Sequence, residues 1–350
     1  MSLRVGLLGF GYWGPNLARV FSSTPGAELT HVADLNEQRC AAALQRYPTV
    51  TVTRDYRAVL RDPAIDAVVI STPVVTHHAL AKTALEAGKH VLVEKPLATS
   101  VAEAAELASI ADQRRLTLMV DHIFLYEPAV RYLREVVRSG ALGEIRYIHA
   151  ERLNFGRVQT TTNALWSLAP QDVSILLYLL DAKPQAVQAS GIQCIGSGVA
   201  DIVFMRLFFH NGLQASVHVS WLDPTKLRRM TLVGSQKMAV YDDMSERKLS
   251  IFDRRAAFTH GEAILHDNGV EAPETESAEP LRTMADEFVK ACMTHSTPLT
   301  DGRNGVDVVA VLEAAQDSLL GDGGLRHLNP ISYRTERRSG ALLPVPDCVD

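Results

Sequence analysis

Gly9, Gly11 and Gly14 stand directly after an apolar run at residues 3–8 and directly before a helix-like stretch. No other feature constrains this chain as tightly. The first glycine permits a sharp turn, the second lets backbone approach a pyrophosphate, and the third allows strand and helix to pack closely. The helix N-terminus that follows stabilises phosphate charge. Asp34 closes the second apolar run, 20 residues beyond Gly14, where a carboxylate accepts hydrogen bonds from ribose hydroxyls. The expected ligand is a dinucleotide held by Gly9, Phe10, Gly11, Tyr12, Trp13, Gly14 and Asp34, with the three aromatic side chains packing against it. A carboxylate at Asp34 repels a 2′-phosphate, which favours NAD over NADP. Arg39, the nearest arginine, reads as a solvated helix residue.

The same alternation continues through residue 121. Short apolar runs at 3–8, 29–33, 67–71, 90–94 and 117–121 read as buried parallel strands, with helices between them such as 76–87 and 100–114. Ser100 and Glu103 make a capping-box pattern at the start of the second of these helices. This βαβα order predicts a doubly wound parallel α/β sheet over residues 1–121. After residue 122 the pattern changes. Helices are expected at 129–138 and 170–180, and strands at 145–153, 185–193, 202–209, 214–221 and 230–240. Consecutive strands without intervening helices predict an α+β domain over 122–333 with a mainly antiparallel, open sheet. Residues 262–279 are acidic, contain Pro273 with Pro280 just beyond, and read as an exposed loop. Late helices are expected at 281–292 and 305–320, the second packing back on the first domain, and residues 334–350 form a polar tail.

The remaining bulk properties narrow the partners. A net charge of −5 gives no basic footprint for nucleic acid. No stretch approaches the roughly 20 apolar residues of a membrane span, and the N-terminus lacks a signal-peptide pattern. Cys40, Cys194, Cys292 and Cys348 are widely spaced, without a CxxC pair, as expected of reduced cytoplasmic thiols. His210 and His218 fall on different strands, so no metal site is expected.

Residues 68–96 read VVISTPVVTHHALAKTALEAGKHVLVEKP, and together with the glycine loop they resemble the Gfo/Idh/MocA oxidoreductases. The likeness continues through HIFLYEPAV at 122–130, RLNF at 152–155 and LWSLAPQDVSILLYLL at 165–180. It implies an NAD-dependent dehydrogenase or reductase, cytoplasmic and dimeric or tetrameric through the open sheet face. The implied substrate is a sugar, nucleotide sugar or related polyol or keto compound. Oxidising an alcohol requires a base for the hydroxyl proton, and Lys95, just past a central strand, is placed to serve. By the same resemblance Ser71, Thr72, Pro73, His77, Glu94, Lys95 and Trp166 line the dinucleotide, and Lys95, His122, Asn163 and Gln171 meet substrate.

This chain departs from the family where substrate chemistry is decided. The family's W-D-L-A-P-H-D motif here reads Trp166-Ser167-Leu168-Ala169-Pro170-Gln171-Asp172. Neither Ser167 nor Gln171 exchanges protons near neutral pH, so both are expected to position the reacting oxygen. Tyr126, His122, Tyr178 or water remain as proton suppliers beside Lys95. Two further departures are Asp121, where relatives carry glycine before His122, and the run Gln159-Thr160-Thr161-Thr162 before Asn163. Loss of the motif's histidine leaves two alternatives open. One is reduction of an imine, which brings its own proton, and the other is a non-catalytic NAD-binding protein.

Overall fold

The computed structural model describes residues 2–156, 158–196 and 198–328. The expected tail at 334–350, with Cys348, lies outside the described residues.

Buried apolar strands alternating with helices build the first layer. Its elements are β1 (Leu3–Leu8), α1 (Gly14–Phe21), β2 (Ala27–Ala33), α2 (Glu37–Arg46), β3 (Thr51–Thr53), α3 (Tyr56–Arg61) and β4 (Ala67–Ile70). They continue with α4 (His77–Glu86), β5 (His90–Val93), α5 (Val101–Arg114) and β6 (Leu118–Val120). All pairings are parallel, in the order β3-β2-β1-β4-β5-β6. The order reverses beside β1, which makes the crevice at the C-terminal ends of β1 and β4 the dinucleotide edge of such a sheet. Val68, Val69 and Ile70 of β4 and Val91 and Val93 of β5 are fully buried, as helices on both faces require.

The rest of the chain supplies α6 (Pro128–Arg138), β7 (Ile145–Phe155), α7 (Ala164–Leu180), β8 (Ala186–Ile192), β9 (Ile202–Phe208), β10 (Gln214–Ser220) and β11 (Leu222–Gly234). It ends with β12 (Met238–Asp242), β13 (Leu249–Thr259), β14 (Glu262–Glu271), α8 (Pro280–Thr294), α9 (Gly302–Leu320) and β15 (Arg326–His327). Among the described residues, nine strands form a mixed sheet ordered β14-β13-β12-β11-β7-β10-β9-β8-β15, in which only β7 and β10 run parallel. One face packs on α6, α7 and α9; the other presents Tyr147, Phe204 and Ile192 outward. Helix α9 joins the two layers. It packs on both α5 and β8, and Thr300, just before it, accepts the Val120 N–H at the edge of the parallel sheet.

Three expectations are corrected. The strand expected at 230–240 is two strands, because Gly234 and Ser235 begin a turn after β11; a Cβ at Gly234 would lie 2.1 Å from the Leu142 carbonyl oxygen. The loop expected at 262–279 begins with β14, joined to β13 through His260 and Gly261, both at positive φ as a two-residue hairpin requires. That strand is solvent-exposed along nearly its whole length, so it carries no apolar alternation for a reader to find. Helix α7 starts at Ala164 rather than Pro170, capped by the Asn163 side chain accepting from the Trp166 N–H at 3.2 Å. Pro170 removes one rung from its interior, a cost offset by burial of Ala164, Leu165, Ala169, Val173 and Leu176.

Candidate active site

The glycine loop leaves β1 with Gly9 at φ +95°, a conformation that penalises side chains. A Cβ on Gly9 would sit 2.3 Å from the Ser71 carbonyl oxygen, and one on Gly14 would sit 2.3 Å from that of Gly9. At Gly11 the nearest protein atom to a Cβ is Arg39 Nη1, at 3.5 Å, leaving the backbone approachable. Asp34 Oδ2 accepts the Phe10 N–H at 2.7 Å and Oδ1 the Asn36 N–H at 2.8 Å, which fixes the carboxylate beside the loop with lone pairs to spare. This arrangement fits a dinucleotide, with pyrophosphate over Gly11 and ribose hydroxyls at Asp34.

A cavity of about 670 Å³ opens from this loop toward the mixed sheet. Tyr12 and Trp13 stand on one side, Glu94, Lys95 and Asp121 at the ends of β5 and β6, and Ser167, Leu168 and Gln171 on α7. The far wall carries paired charges. Arg152 donates two hydrogen bonds to Asp172, Arg228 donates to Asp243, and Lys248 donates to Glu127 and Asp243. The Arg152 and Arg228 guanidiniums also flank the Phe124 ring, at 4.5 and 5.7 Å from its centroid.

Lys95 Nζ donates to the Ser167 carbonyl oxygen at 2.6 Å. Burial pushes its amine below the usual lysine range; the neighbouring Glu94 charge opposes that shift and Arg152 adds to it. Gln171 donates to the Asp121 carbonyl oxygen at 3.2 Å, and its own Oε1 is buried without a hydrogen-bond partner. The Ser167 hydroxyl accepts from Gln159 at 3.1 Å.

Residues 3–122 match the model of an oxidoreductase family with an NAD-binding Rossmann fold, and residues 130–240 match the Gfo/Idh/MocA C-terminal domain. The chain belongs to the Gfo/Idh/MocA family. It is an NAD-dependent oxidoreductase. Among its relatives is UDP-N-acetylglucosamine 3-dehydrogenase of Acidithiobacillus ferrooxidans, 29% identical over 88% of this chain and 94% of that one. The solved structure of that enzyme superimposes with a TM-score of 0.79 at 28% identity, covering 91% of this chain and 98% of that one. An oxidoreductase from Agrobacterium radiobacter, solved with NAD⁺, L-tartaric acid and magnesium, shares the fold at a TM-score of 0.78 and 18% identity, over 94% and 99% of the two chains. No helix among the described residues is long and apolar enough to cross a membrane.

For a Gfo/Idh/MocA chain, the structure brings Tyr12, Trp13, Glu94, Lys95, Ser167 and Gln171 together and leaves other expected residues outside the cavity. Phe10 is in the core, and only its N–H faces Asp34. His77 is buried between the Thr72 and Pro96 carbonyls, so it braces the two cofactor-side loops, and burial lowers its pKa. Asn163 caps α7 and, with the Trp166 indole, bonds Gln316. His122 donates to Asn304 from a fully buried ring, with a pKa pushed down to about 4. Tyr126 is equally buried, its hydroxyl bonded to Thr300, and burial raises its pKa. Tyr178 lies under the Arg134 guanidinium. None of the three side chains offered as extra proton suppliers lines the cavity. Arg39 is an exposed residue of α2, as expected, and its guanidinium also reaches 3.6 Å from Asp34.

Sequence reasoning missed the Arg152–Asp172 pair, the Arg228, Asp243 and Lys248 wall, and the Trp13 indole donating to Asp121 at 3.0 Å. Arg152 was in view within the RLNF run, but its partner lies 20 residues away.

Proposed function

We propose that the chain transfers a hydride between NAD and a carbon of a sugar, nucleotide sugar or related polyol, with Lys95 moving the proton of the reacting hydroxyl. The observation that carries this reading is the Lys95 amine, depressed by burial and oriented by the Ser167 carbonyl, facing the cavity beside the glycine loop. A neutral amine that donates to Ser167 keeps its lone pair free to accept a proton. Bound NAD supplies the hydride acceptor or donor. The unpartnered Oε1 of Gln171 accepts from a substrate hydroxyl, and the far wall, its charges already paired, offers hydrogen bonds to the remaining hydroxyls. In this reading residues 1–121 hold the dinucleotide, and residues 122–333 supply the substrate wall. The enzyme works in the cytoplasm, in keeping with the free thiols of Cys40, Cys194 and Cys292, as a homodimer or homotetramer through the open sheet face. The relative named for UDP-N-acetylglucosamine supports the substrate class.

The test is absorbance at the NADH band with NAD⁺ or NADH and a panel of sugars, nucleotide sugars, ketosugars and cyclic imines. The reading predicts turnover with a hydroxyl or ketone of the sugar group. Turnover confined to imines would replace it with C=N reduction, and none at all with a non-catalytic role.

A further inference from the structure

Position 171 carries an amide, so the cavity has no titrating side chain on α7 near its lysine except the ion-paired Asp172. The opposite side is different. Glu94 follows β5 and Asp121 follows β6, neighbouring parallel strands, so the two carboxyls emerge side by side at one sheet edge. Asp121 is 2% exposed. Its Oδ2 is held by the Trp13 indole, while its Oδ1 and Glu94 Oε1 are both buried without a conventional donor. Two neighbouring carboxyls with buried oxygens are disfavoured from being ionised together, and the atoms left unpartnered are those a shared proton would satisfy.

We propose that Glu94 and Asp121 hold one proton between them and exchange it with Lys95, making this carboxyl pair the second proton carrier of the reaction. The inference rests on Lys95 as the acid/base group. Before oxidation the Lys95 ammonium gives a second proton to the pair, which then holds two, and becomes a neutral amine. The substrate O–H bond then breaks with its proton going to Lys95 Nζ, and bound NAD⁺ would take the hydride. The pair afterwards loses one proton to water through the cavity, and each oxidised alcohol has released one proton. Reduction runs the same steps backwards. Glu94 and Asp121 act through the lysine and are positioning residues for its proton.

The charges facing the pair are few. Lys95 faces both carboxyls and the Trp13 indole faces Asp121; Arg152 from β7 and its partner Asp172 from α7 face Lys95 in turn, and the buried His122 stays neutral. Burial and the Asp121 charge hold the Glu94 carboxyl well above the usual range, and burial raises Asp121 as well.

Infrared spectroscopy of the full chain saturated with NAD⁺, titrated through neutral pH, reads the shared proton directly as a protonated-carboxyl band. The band should be present in the wild type at pH 7 and lost in both Asp121→Asn and Glu94→Gln. Asn keeps an oxygen for the Trp13 indole, and Asp121→Gly, the family's own residue, gives a second variant if Asn disturbs folding. In Lys95→Met the band should persist and its titration midpoint move to higher pH, since the neighbouring ammonium is gone. A wild type without the band, a band that survives both amide variants, or a midpoint indifferent to Lys95→Met would each overturn the proposal. No sugar enters the measurement, so a wrong substrate class does not affect its outcome.

Discussion

Asp34 holds the glycine loop through the Phe10 N–H, and in the proposed site the same carboxylate faces the ribose. Arg39, 3.6 Å away, is kept neutralised by it. Asp34→Ala should weaken NAD⁺ binding by about 1–3 kcal/mol through loss of charge-assisted hydrogen bonds. The same change frees Arg39 for a 2′-phosphate, so the NADP⁺-to-NAD⁺ affinity ratio should rise. Calorimetric titration of both cofactors checks it, and an unchanged ratio would remove Asp34 from cofactor choice. His122 makes a different prediction. Its ring is buried and neutral, with a pKa of about 4 against an ordinary value near 6.5. Below pH 6.5 the unfolded chain takes up a proton that the folded chain refuses, so stability falls as pH drops from 6.5 towards 4. The loss saturates at roughly 3 kcal/mol for this residue. Urea midpoints measured between pH 7 and pH 4 should show that slope, and His122→Gln should flatten it.

Strand β7 and helix α7 are clamped together by Arg152 and Asp172, both buried and joined by two hydrogen bonds of 2.7 and 2.9 Å. Asp172→Asn leaves the guanidinium buried without its counter-charge and should cost about 3–5 kcal/mol, read as a lower urea midpoint. An Asp172→Asn chain as stable as the wild type would mean that water already reaches Arg152. Such a clamp could not be read from sequence, because nothing in the RLNF run tells a reader which carboxylate crosses from a helix to meet it. The elements that could be read are those whose physics is local. β1, the glycine turn and α1 follow from an apolar run and three glycines, and β4 and β5 from burial on both faces. β14 was invisible because its side chains face solvent, so pairing with β13 alone makes it a strand. The start of α7 was obscured by Pro170, which reads as a helix boundary but sits inside a well-buried helix. For the site, the place of Lys95 in the cavity was legible through the Glu94-Lys95-Pro96 run that carries the family resemblance. The Glu94–Asp121 contact was not, because it joins residues on two strands whose adjacency only the sheet order reveals.

The molecule as a whole is two sheets with a cavity between the carboxyl edge of one and the helix-covered side of the other. Lys95 leaves the parallel sheet and donates to a carbonyl of α7, the helix lying on the mixed sheet, so the proposed acid/base group spans the two layers. Helix α9 fixes their relative placement by packing on both. Because burial lowers the lysine pKa, the neutral amine is more abundant near neutral pH than in a solvated lysine. Oxidation should therefore accelerate as pH rises through that lowered pKa and then level off. The most direct test is the pH dependence of kcat/KM for NAD⁺-dependent sugar oxidation in wild type and Lys95→Met, alongside calorimetric NAD⁺ affinity in both. The account predicts a rate loss of about 10²–10⁴-fold in Lys95→Met, with the rising limb of the profile abolished and NAD⁺ affinity nearly unchanged. Near-normal turnover in Lys95→Met with the wild-type pH profile intact would contradict it.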